Sequence, residues 1–376
     1  MKQPTEESSI LHFFSEIKDP RIDRQKLHKL SDIIFLTISA SICLCEAWTE
    51  IEDFGNSRID WLKKYIELPN GIPSHDTLGD VFSKLDPIDF QKCFMDWANF
   101  VRVTTGKEII SFDGKALNCS HDKSKNKAAI HIVNVWSDEN QLVLGQLKVN
   151  EKSNEITAIP DLIDLLDIKD CVVTIDAMGT QKKIAKKITE AKAYYVLAFK
   201  GNHGSFHNEV KSFFEDQTID RNIPSSIIKT IEKKEHGHGR DEHRKYLTTC
   251  SLDFFPSSTE WENINSITMV ISNRLCNGKL SEQKRYFISS LSDNELIAKA
   301  IRKHWSIENQ LHWSLDVIWN EDLDRKRIGN SAENFSAIRK LSLSLLKQEK
   351  TEKKSINRKR LKATRESNYL EKILGF

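Results

Sequence analysis

Two aspartates each follow a short apolar run that has the composition of a buried strand. Asp113 follows the letters IISF, and Asp176 follows the letters VVTI. Carboxylate oxygens are the ligands that hard cations such as Mg²⁺ prefer, and two carboxylates can bridge one ion. The pair therefore indicates either a divalent-metal site or, because Asp is common where strands end, two ordinary turn residues.

A third carboxylate lies in the segment 302–325, which reads RKHWSIENQLHWSLDVIWNEDLDR. On a helix, Glu308 shares a face with His304, Leu311, His312 and Leu315, and the apolar positions around it would hold that helix against a sheet. A glutamate on a packing face needs a partner, which a metal cluster would supply. A solvated or snorkelling glutamate is the alternative.

A histidine-rich run, HGHGRDEHR, raises the question of zinc. Its candidate ligands are His236, His238 and His243. No cysteine neighbours them, and Cys250 is not at the spacing of a zinc finger, so a solvated or DNA-facing loop is the favoured interpretation. The seven cysteines are scattered without a paired framework, which favours reduced structural thiols over disulfides.

The elements that must position these acids change character along the chain. Helical periodicity runs from residue 9 to about 103, and the order strand, strand, strand, helix, strand, helix, strand follows. This is the order of the ribonuclease H fold, in which strands one and four lie side by side and parallel. The fold would bring Asp113 and Asp176 together at one edge.

The predicted fold class is α/β, a ribonuclease H-like catalytic core with a β-rich insertion, preceded by an all-helical N-terminal domain. A turn at Ser137–Asn140 and another at Asn277–Gly278 predict two hairpins. The predicted domains are 1–105 for the helical domain, 106–346 for the core with its insertion at about 201–290, and 347–376 for a basic C-terminal segment.

Charge is unevenly distributed in this 376-residue chain, whose formal net charge is +2. Nine Lys or Arg and two Glu between Lys347 and Arg365 give that segment +7. A basic tail on a mildly acidic body favours an anionic partner, although a solvated helical tail would look the same. The longest apolar stretch, Ile33 to Cys45, is too short to span a bilayer, and no signal peptide is evident, so a cytoplasmic protein without a membrane partner is expected.

Several segments together resemble the DDE transposases of bacterial insertion sequences, in the subgroup that includes the H-repeat-associated proteins. The resemblance covers nearly the whole chain. The segments that carry it are SFDGKALNCS, VVTIDAMGTQKKIAKKI, VLAFKGNHG, HGRDEHRKY, HWSIENQLHWSLDVIWNEDLDR, DPRIDRQKLHKLSDIIFLTISASICLCEAW, PSHDTLGDVFSKLDP and KRLKATRESNYLEKIL.

The resemblance implies that Asp113, Asp176 and Glu308 are the catalytic and metal-binding acids, with Asp316, Glu321 or Asp322 as the next candidates for the third. Separations of 63 and 132 residues fit, because the insertion lies in the second gap. Related families have a Y-x2-R-x3-E-x6-K pattern around the glutamate, and here Ile301, His304 and Leu315 occupy those places. Two Mg²⁺ ions, with Mn²⁺ as a substitute, would clamp a scissile phosphate.

The implied function is a DNA transposase that binds insertion-sequence ends, cleaves them by metal-dependent hydrolysis and joins 3′-OH ends to target DNA. The alternatives are a catalytically inactive DNA-binding relic and a host nuclease of the same fold. The partner is double-stranded DNA, both transposon ends and target, with a homodimer on DNA and a nucleoid-associated location. The aromatic candidate for holding a flipped base is Trp261, for which a packing role is the alternative. The candidate DNA contacts are Lys115, Lys200, Arg240, Arg244, Trp261, Arg302, Lys303, Arg358, Lys359 and Arg360.

Overall fold

The computed structural model describes residues 10–23, 26–104, 106–121, 128–149, 155–215, 227–237, 240–276 and 278–376. Its contacts divide the chain into two compact units, each built from separate stretches of sequence. Unit 1 comprises Met1–Val103, Gly114–Lys152 and Glu308–Phe376, and unit 2 comprises Thr104–Asp113 and Ser153–Ile307. The domain boundaries predicted at 105 and 346 stay a prediction.

Among the described residues, the N-terminal part of unit 1 contains six α-helices. They are α1 (Ile10–Phe14), α2 (Leu30–Ile42), α3 (Trp48–Ser57), α4 (Ile59–Leu62), α5 (His75–Lys84) and α6 (Pro87–Val101). Ser74 caps α5 by accepting a hydrogen bond from the Thr77 N–H, and Asp86 caps α6 in the same way, with Pro87 at the first helical position. Helix α2 is apolar on nearly every side and is buried along almost its whole length.

The C-terminal part of unit 1 is also helical, and it packs against α2. After a π-helical turn, Ile307–His312, come α11 (Trp313–Ile318), α12 (Ser331–Gln348), α13 (Ile356–Arg365) and α14 (Ser367–Leu374). Helix α12 packs against α2, α5 and α6, and α13 and α14 also contact α2. The basic C-terminal segment is therefore part of the folded unit.

Strand β1 (Ile109–Leu117) begins in unit 2 and ends in unit 1. In unit 1 its end is followed in the sheet by β2 (Ile130–Ser137) and then β3 (Leu142–Val149). Ser137 pairs with Leu142 across the turn, so the first predicted hairpin is confirmed.

Unit 2 is a sheet of parallel strands extended by antiparallel ones. Strand β1 pairs in parallel with β4 (Val172–Ile175), and β4 pairs in parallel with β5 (Tyr194–Phe199). Beyond β5 the order is β9 (Lys279–Ser289), β8 (Ser266–Cys276), β7 (Arg240–Thr249) and β6 (Ile228–Gly237), all antiparallel. The strands of the predicted β-rich insertion thus continue the sheet, and the β8–β9 hairpin is confirmed, although Asn277 lies outside the described residues.

Helices α7 (Glu155–Leu165), α8 (Lys182–Glu190), α9 (Gly204–Glu215) and α10 (Asn294–Ser306) complete unit 2. The apolar side of α10, with Ile297 and Ile301, packs on Val172, Val196 and their neighbours in the sheet. Such burial is the main stabilising term for a helix of this length. In the described part of the chain, none of the helices is both long enough and apolar enough to cross a membrane.

Candidate active site

The pairing of β1 with β4 sets the position of the two aspartates. The last paired residues are Phe112 and Ile175, and Asp113 and Asp176 are the next residue on each strand. Parallel neighbours lie about 4.8 Å apart, so the two acids leave the same edge of the sheet at the same register. The predicted side-by-side arrangement of these strands is confirmed.

The turn after β4 fixes the orientation of the Asp176 carboxylate. Its Oδ1 accepts hydrogen bonds from the Met178 N–H at 3.0 Å and from the Gly179 N–H at 2.9 Å. A Cβ at Gly179 would lie 2.5 Å from Ile175 Cγ2 and 2.8 Å from Ile159 Cδ1, so any larger residue in this turn would have to displace these side chains. Within the described residues Oδ2 of Asp176 makes no hydrogen bond, which leaves that oxygen for a cation.

A layer of polar side chains lies one step back along the same strands. Ser111 on β1 pairs with Thr174 on β4, and Thr174 Oγ1 donates to Ser111 Oγ at 2.9 Å. His304 Nδ1, on α10, lies 3.0 Å from Thr174 Oγ1. Burial lowers the pKa of His304 to about 4, with Asp176 opposing and Arg285 adding to that shift, so the imidazole is neutral at physiological pH.

Glu308 is exposed and is the second residue of the π-helical turn, in unit 1. Among the described residues, no three His, Cys, Asp or Glu side chains are arranged to hold one metal ion. Mg²⁺ is commonly bound through one or two carboxylates together with waters and substrate phosphates. The paired aspartates therefore fit such an ion by their donor chemistry, and the assignment of Glu308 stays a prediction.

Lys115, one of the predicted DNA contacts, has a buried side chain that is surrounded by carboxylates. Its side chain is 8% exposed, and its Nζ lies 2.5 Å from Asp316 Oδ1, 3.0 Å from Asp322 Oδ1 and 3.5 Å from Glu321 Oε2. The same acids were the alternatives for the third catalytic position. Because they surround a buried lysine, both that role and a phosphate-binding role for Lys115 lose their basis.

The motif HGR-x-E-x-R forms an ion-pair network on the β6–β8 strands. Glu235 on β6 pairs with both Arg244 and Arg302, and Glu242 pairs with Arg244 and Arg274. The hydrogen bond from Arg302, followed by Arg244, lowers the pKa of Glu235 to about 2. Arg244 and Arg302 are thus already neutralised within unit 2.

Lys200 and its neighbours are tied to the turn that follows Asp176. Asn202 Nδ2 donates to the Ala177 carbonyl at 3.0 Å, and His203 Nε2 lies 3.0 Å from the Thr180 carbonyl. Lys200 itself is exposed and, within the described residues, has no ion pair. It is therefore an available cation beside the end of β4.

Trp261, Lys303 and Arg240 are three further predicted DNA contacts. Trp261 is 5% exposed and packs among Phe199, His203 and Phe206 at centroid distances of 5.9–6.2 Å, so it is an interior residue rather than an exposed base-stacking surface. Lys303 is partly buried, and the side chain of Arg240 lies outside the described residues.

Lys359 and Arg360 also point inward, in unit 1. Lys359 donates to the Leu346 carbonyl at 3.0 Å and pairs with Glu349, while Arg360 is 1% exposed. Burial of these two cations removes them from the predicted DNA contacts. Arg358 alone of the three consecutive basic residues is exposed.

The histidines of the zinc hypothesis are separated by their partners. His236 pairs with Asp241, and His243 Nε2 lies 3.1 Å from Glu232 Oε2. His238 lies outside the described residues. These are exposed cross-strand pairs of the β6–β7 hairpin, and nothing in their geometry supports a zinc site.

The polar layer of Ser111, Thr174 and His304 is the feature that sequence reasoning missed. A signal for it was present, because both strands carry the same pattern of a hydroxyl residue two positions before the acid, SFD and TID. Side chains two apart on a strand share a face, so the repeated spacing predicts that the hydroxyl groups line up beneath the aspartates.

The paired acids at the sheet edge lie in a part of the sequence that matches a known protein family. Residues 100–345 match the family model described as "Transposase DDE domain", and residues 11–98 match the one described as "DDE_Tnp_1-associated". The chain belongs to the DDE transposase family.

Two relatives from Escherichia coli cover almost the whole chain. "Putative transposase YncI" of strain O157:H7 is 44% identical, over 98% of this chain and 94% of the relative. "H repeat-associated putative transposase YhhI" of strain K12 is 40% identical, over 97% of each chain. A solved piggyBac transposase synaptic complex with hairpin DNA is 13% identical, with a TM-score of 0.45, over 98% of this chain and 77% of that one.

Proposed function

We propose that this chain is a DNA transposase that cleaves the ends of its own element and joins the resulting 3′-OH ends to target DNA. The observation that carries the proposal is the register of β1 and β4, which makes Asp113 and Asp176 neighbours at one sheet edge. Family membership supports it from a second direction, since the match to the DDE domain spans both aspartates and Glu308.

The core is proposed to be ribonuclease H-like. Support comes from the order β3-β2-β1 in unit 1, where β2 and β3 pair antiparallel, and from the order β1-β4-β5 in unit 2, where both pairings are parallel. In this interpretation the antiparallel strands β6–β9 are the family's insertion between the second and third acid. The helices between Ile10 and Val101 would form the associated N-terminal domain.

Asp113 and Asp176 would hold divalent cations, Mg²⁺ or Mn²⁺, with Glu308 as the third ligand. When bound, these ions supply a nucleophile from water or a 3′-hydroxyl and stabilise the oxygen that leaves. The chain's own contribution is to fix the carboxylates. The Met178 and Gly179 N–H groups hold one oxygen of Asp176, and the strand register holds the two Cα atoms. Phosphoryl transfer depends chiefly on such positioning.

Two exposed cations are proposed to contact the DNA backbone. Lys200 leaves the sheet beside the turn that carries Asp176, and Arg358 lies on the outer side of α13. Both are exposed and, in the part of the chain that the structure describes, neither is in an ion pair, so each can neutralise a phosphate without first losing an internal partner. Pairing of two DNA ends is the reason to expect a homodimer on DNA.

The test compares Asp113→Asn, Asp176→Asn and Glu308→Gln with Asp161→Asn, an exposed acid on α7. The substrate is a supercoiled plasmid carrying the coding region with its native flanking DNA, incubated with Mg²⁺ or Mn²⁺. Each of the first three variants should lose cleavage by more than about 100-fold, because residues that merely orient metal ligands already cost 10–100-fold. DNA binding, followed by fluorescence anisotropy, should change little.

The outcomes separate the parts of the proposal. Wild-type cleavage by both aspartate variants would overturn the active-site assignment. Wild-type cleavage by Glu308→Gln alone would remove only the third acid. Loss of cleavage in the Asp161 control would show that the assay reports folding instead of chemistry. Cleaved ends that never join a second plasmid would favour a nuclease.

A further inference from the structure

Three polar side chains in unit 2 form a connected chain directly behind the proposed acids. Ser111 and Thr174 are register partners, and Thr174 Oγ1 donates to Ser111 Oγ at 2.9 Å. Thr174 Oγ1 also lies 3.0 Å from His304 Nδ1, within hydrogen-bond distance, and the tautomer of the imidazole sets which of these two atoms donates.

Each of these three hydrogen-bonded side chains precedes one acid by one repeat of its strand or helix. Ser111 is two residues before Asp113 and Thr174 is two residues before Asp176, and side chains two apart on a strand lie on the same face. His304 is four residues before Glu308, about one helical turn. Each of the three acids therefore has one of these polar side chains one repeat earlier on the strand or helix that leads to it.

The contact fixes the end of α10 where the helix meets the strand. Helix α10 packs on β4 and β5 through apolar residues such as Ile297 and Ile301, which resist separation but permit sliding. The His304–Thr174 hydrogen bond is directional and fails when the helix shifts by about 1 Å. Because His304 is neutral, it holds this place without adding a positive charge beside Asp176.

We infer that His304 is a positioning residue for the proposed reaction: through Thr174 and Ser111 it fixes the end of α10 against β4 and so sets how the chain enters the turn that carries Glu308. This inference rests on the proposed function of the three acids. It assigns His304 a role without contact to DNA or metal, and it predicts that the hydrogen bond to Thr174 carries that role.

The experiment uses the full chain with His304→Ala, His304→Asn and Thr174→Val. Asparagine keeps a side-chain amide donor near the position of Nδ1, and valine has the shape of threonine without the hydroxyl. Cleavage of the plasmid described above is measured against Mn²⁺ concentration, together with DNA affinity and the melting temperature. Asp176→Asn in the same series reports on the proposed function itself.

We expect His304→Ala and Thr174→Val each to raise the Mn²⁺ concentration for half-maximal cleavage by about 10-fold or more, with DNA affinity unchanged. The variant with both changes should need no more Mn²⁺ for half-maximal cleavage than the more impaired single variant, since both changes remove the same interaction. His304→Asn should recover most of the loss. A purely structural role would lower the melting temperature and leave the metal response unchanged.

Wild-type metal response in Thr174→Val, with Asp176→Asn inactive, would overturn the inference and leave the proposed function standing. Activity in Asp176→Asn would instead overturn the proposed function. A selective loss of DNA affinity in His304→Ala would mean that His304 contacts phosphate, as the arginine of related families at this place would. Should His304→Ala fail to fold, the near-isosteric Thr174→Val decides the question.

Discussion

Arg358 and Arg360 lie two residues apart on α13, yet mutation of Arg360 should change the stability of the protein and mutation of Arg358 its DNA affinity. Arg360 is 1% exposed, and its guanidinium donates to the Ile318 and Ser41 carbonyls, both at 2.7 Å, and to Glu46 Oε1 at 2.8 Å. It also lies over the Trp319 ring, 4.2 Å from the centroid. Arg358 is exposed on the same helix.

The change Arg360→Met keeps the apolar stem and removes the charged donor. The Ile318 carbonyl and Glu46 Oε1 then lose this donor, while the Ser41 carbonyl keeps the Leu44 N–H at 3.3 Å and Glu46 keeps Arg339 at 3.0 Å. Removing one partner of a buried ion pair costs about 3–5 kcal/mol. At roughly 2–4 °C per kcal/mol, the melting temperature should fall by about 6–20 °C. Arg358→Ala should change stability by less than about 0.5 kcal/mol.

Differential scanning fluorimetry and salt-dependent DNA anisotropy measure the two responses separately. Below its melting temperature, Arg360→Met should bind duplex DNA as the wild type does. Arg358→Ala should bind more weakly and reduce the salt slope by about 0.9, the contribution of one phosphate contact. If Arg360→Met kept its stability and lost DNA affinity, the inward orientation of Arg360 would be refuted.

Three further changes probe other buried groups. Lys115→Met leaves the carboxylates around it without a counter-ion and should lower the free energy of unfolding by about 3–5 kcal/mol, with partial recovery in Lys115→Arg; an unchanged urea midpoint would contradict this. Burial, then Lys115 and Lys340, lowers the pKa of His312 to about 3. Since the unfolded chain takes up this proton near pH 6.5, stability should fall as pH decreases from about 6.5 toward 3, and His312→Gln should flatten that dependence of the urea midpoint. Trp261→Ala should lower the free energy of unfolding by about 3–5 kcal/mol, and Trp261→Phe by less, whereas a base-contacting residue would lose cleavage with little change in melting temperature.

The strands that carry the aspartates could be predicted because their signal is local. Runs such as IISF and VVTI are apolar and β-branched, and an acid after each run marks the strand end. Their parallel pairing followed from the order of elements. Helix α9 was missed, since its sequence, GSFHNEVKSFFE, begins with residues typical of turns and lies in a segment expected to be β-rich.

The fate of the basic residues could not be predicted, because it depends on partners far away in sequence. Arg360 and Glu46 are more than 300 residues apart, and Arg244 meets Glu235 only through the pairing of β6 with β7. A count of positive charges treats Arg358 and Arg360 alike. Helix phase decides which side chain points inward, and a difference of two residues rotates it by about 200°.

The interleaved make-up of unit 1 has a consequence for the protein during its synthesis. Helix α2 is translated early, yet α12, which packs against it, follows only after roughly 290 further residues, or about 15–60 s at 5–20 residues per second. Throughout that interval the nascent chain carries an apolar helix without its final cover. A ribosome that stalls before Ser331 would leave this helix as a target for chaperones and proteases, so truncated products of the gene should be short-lived.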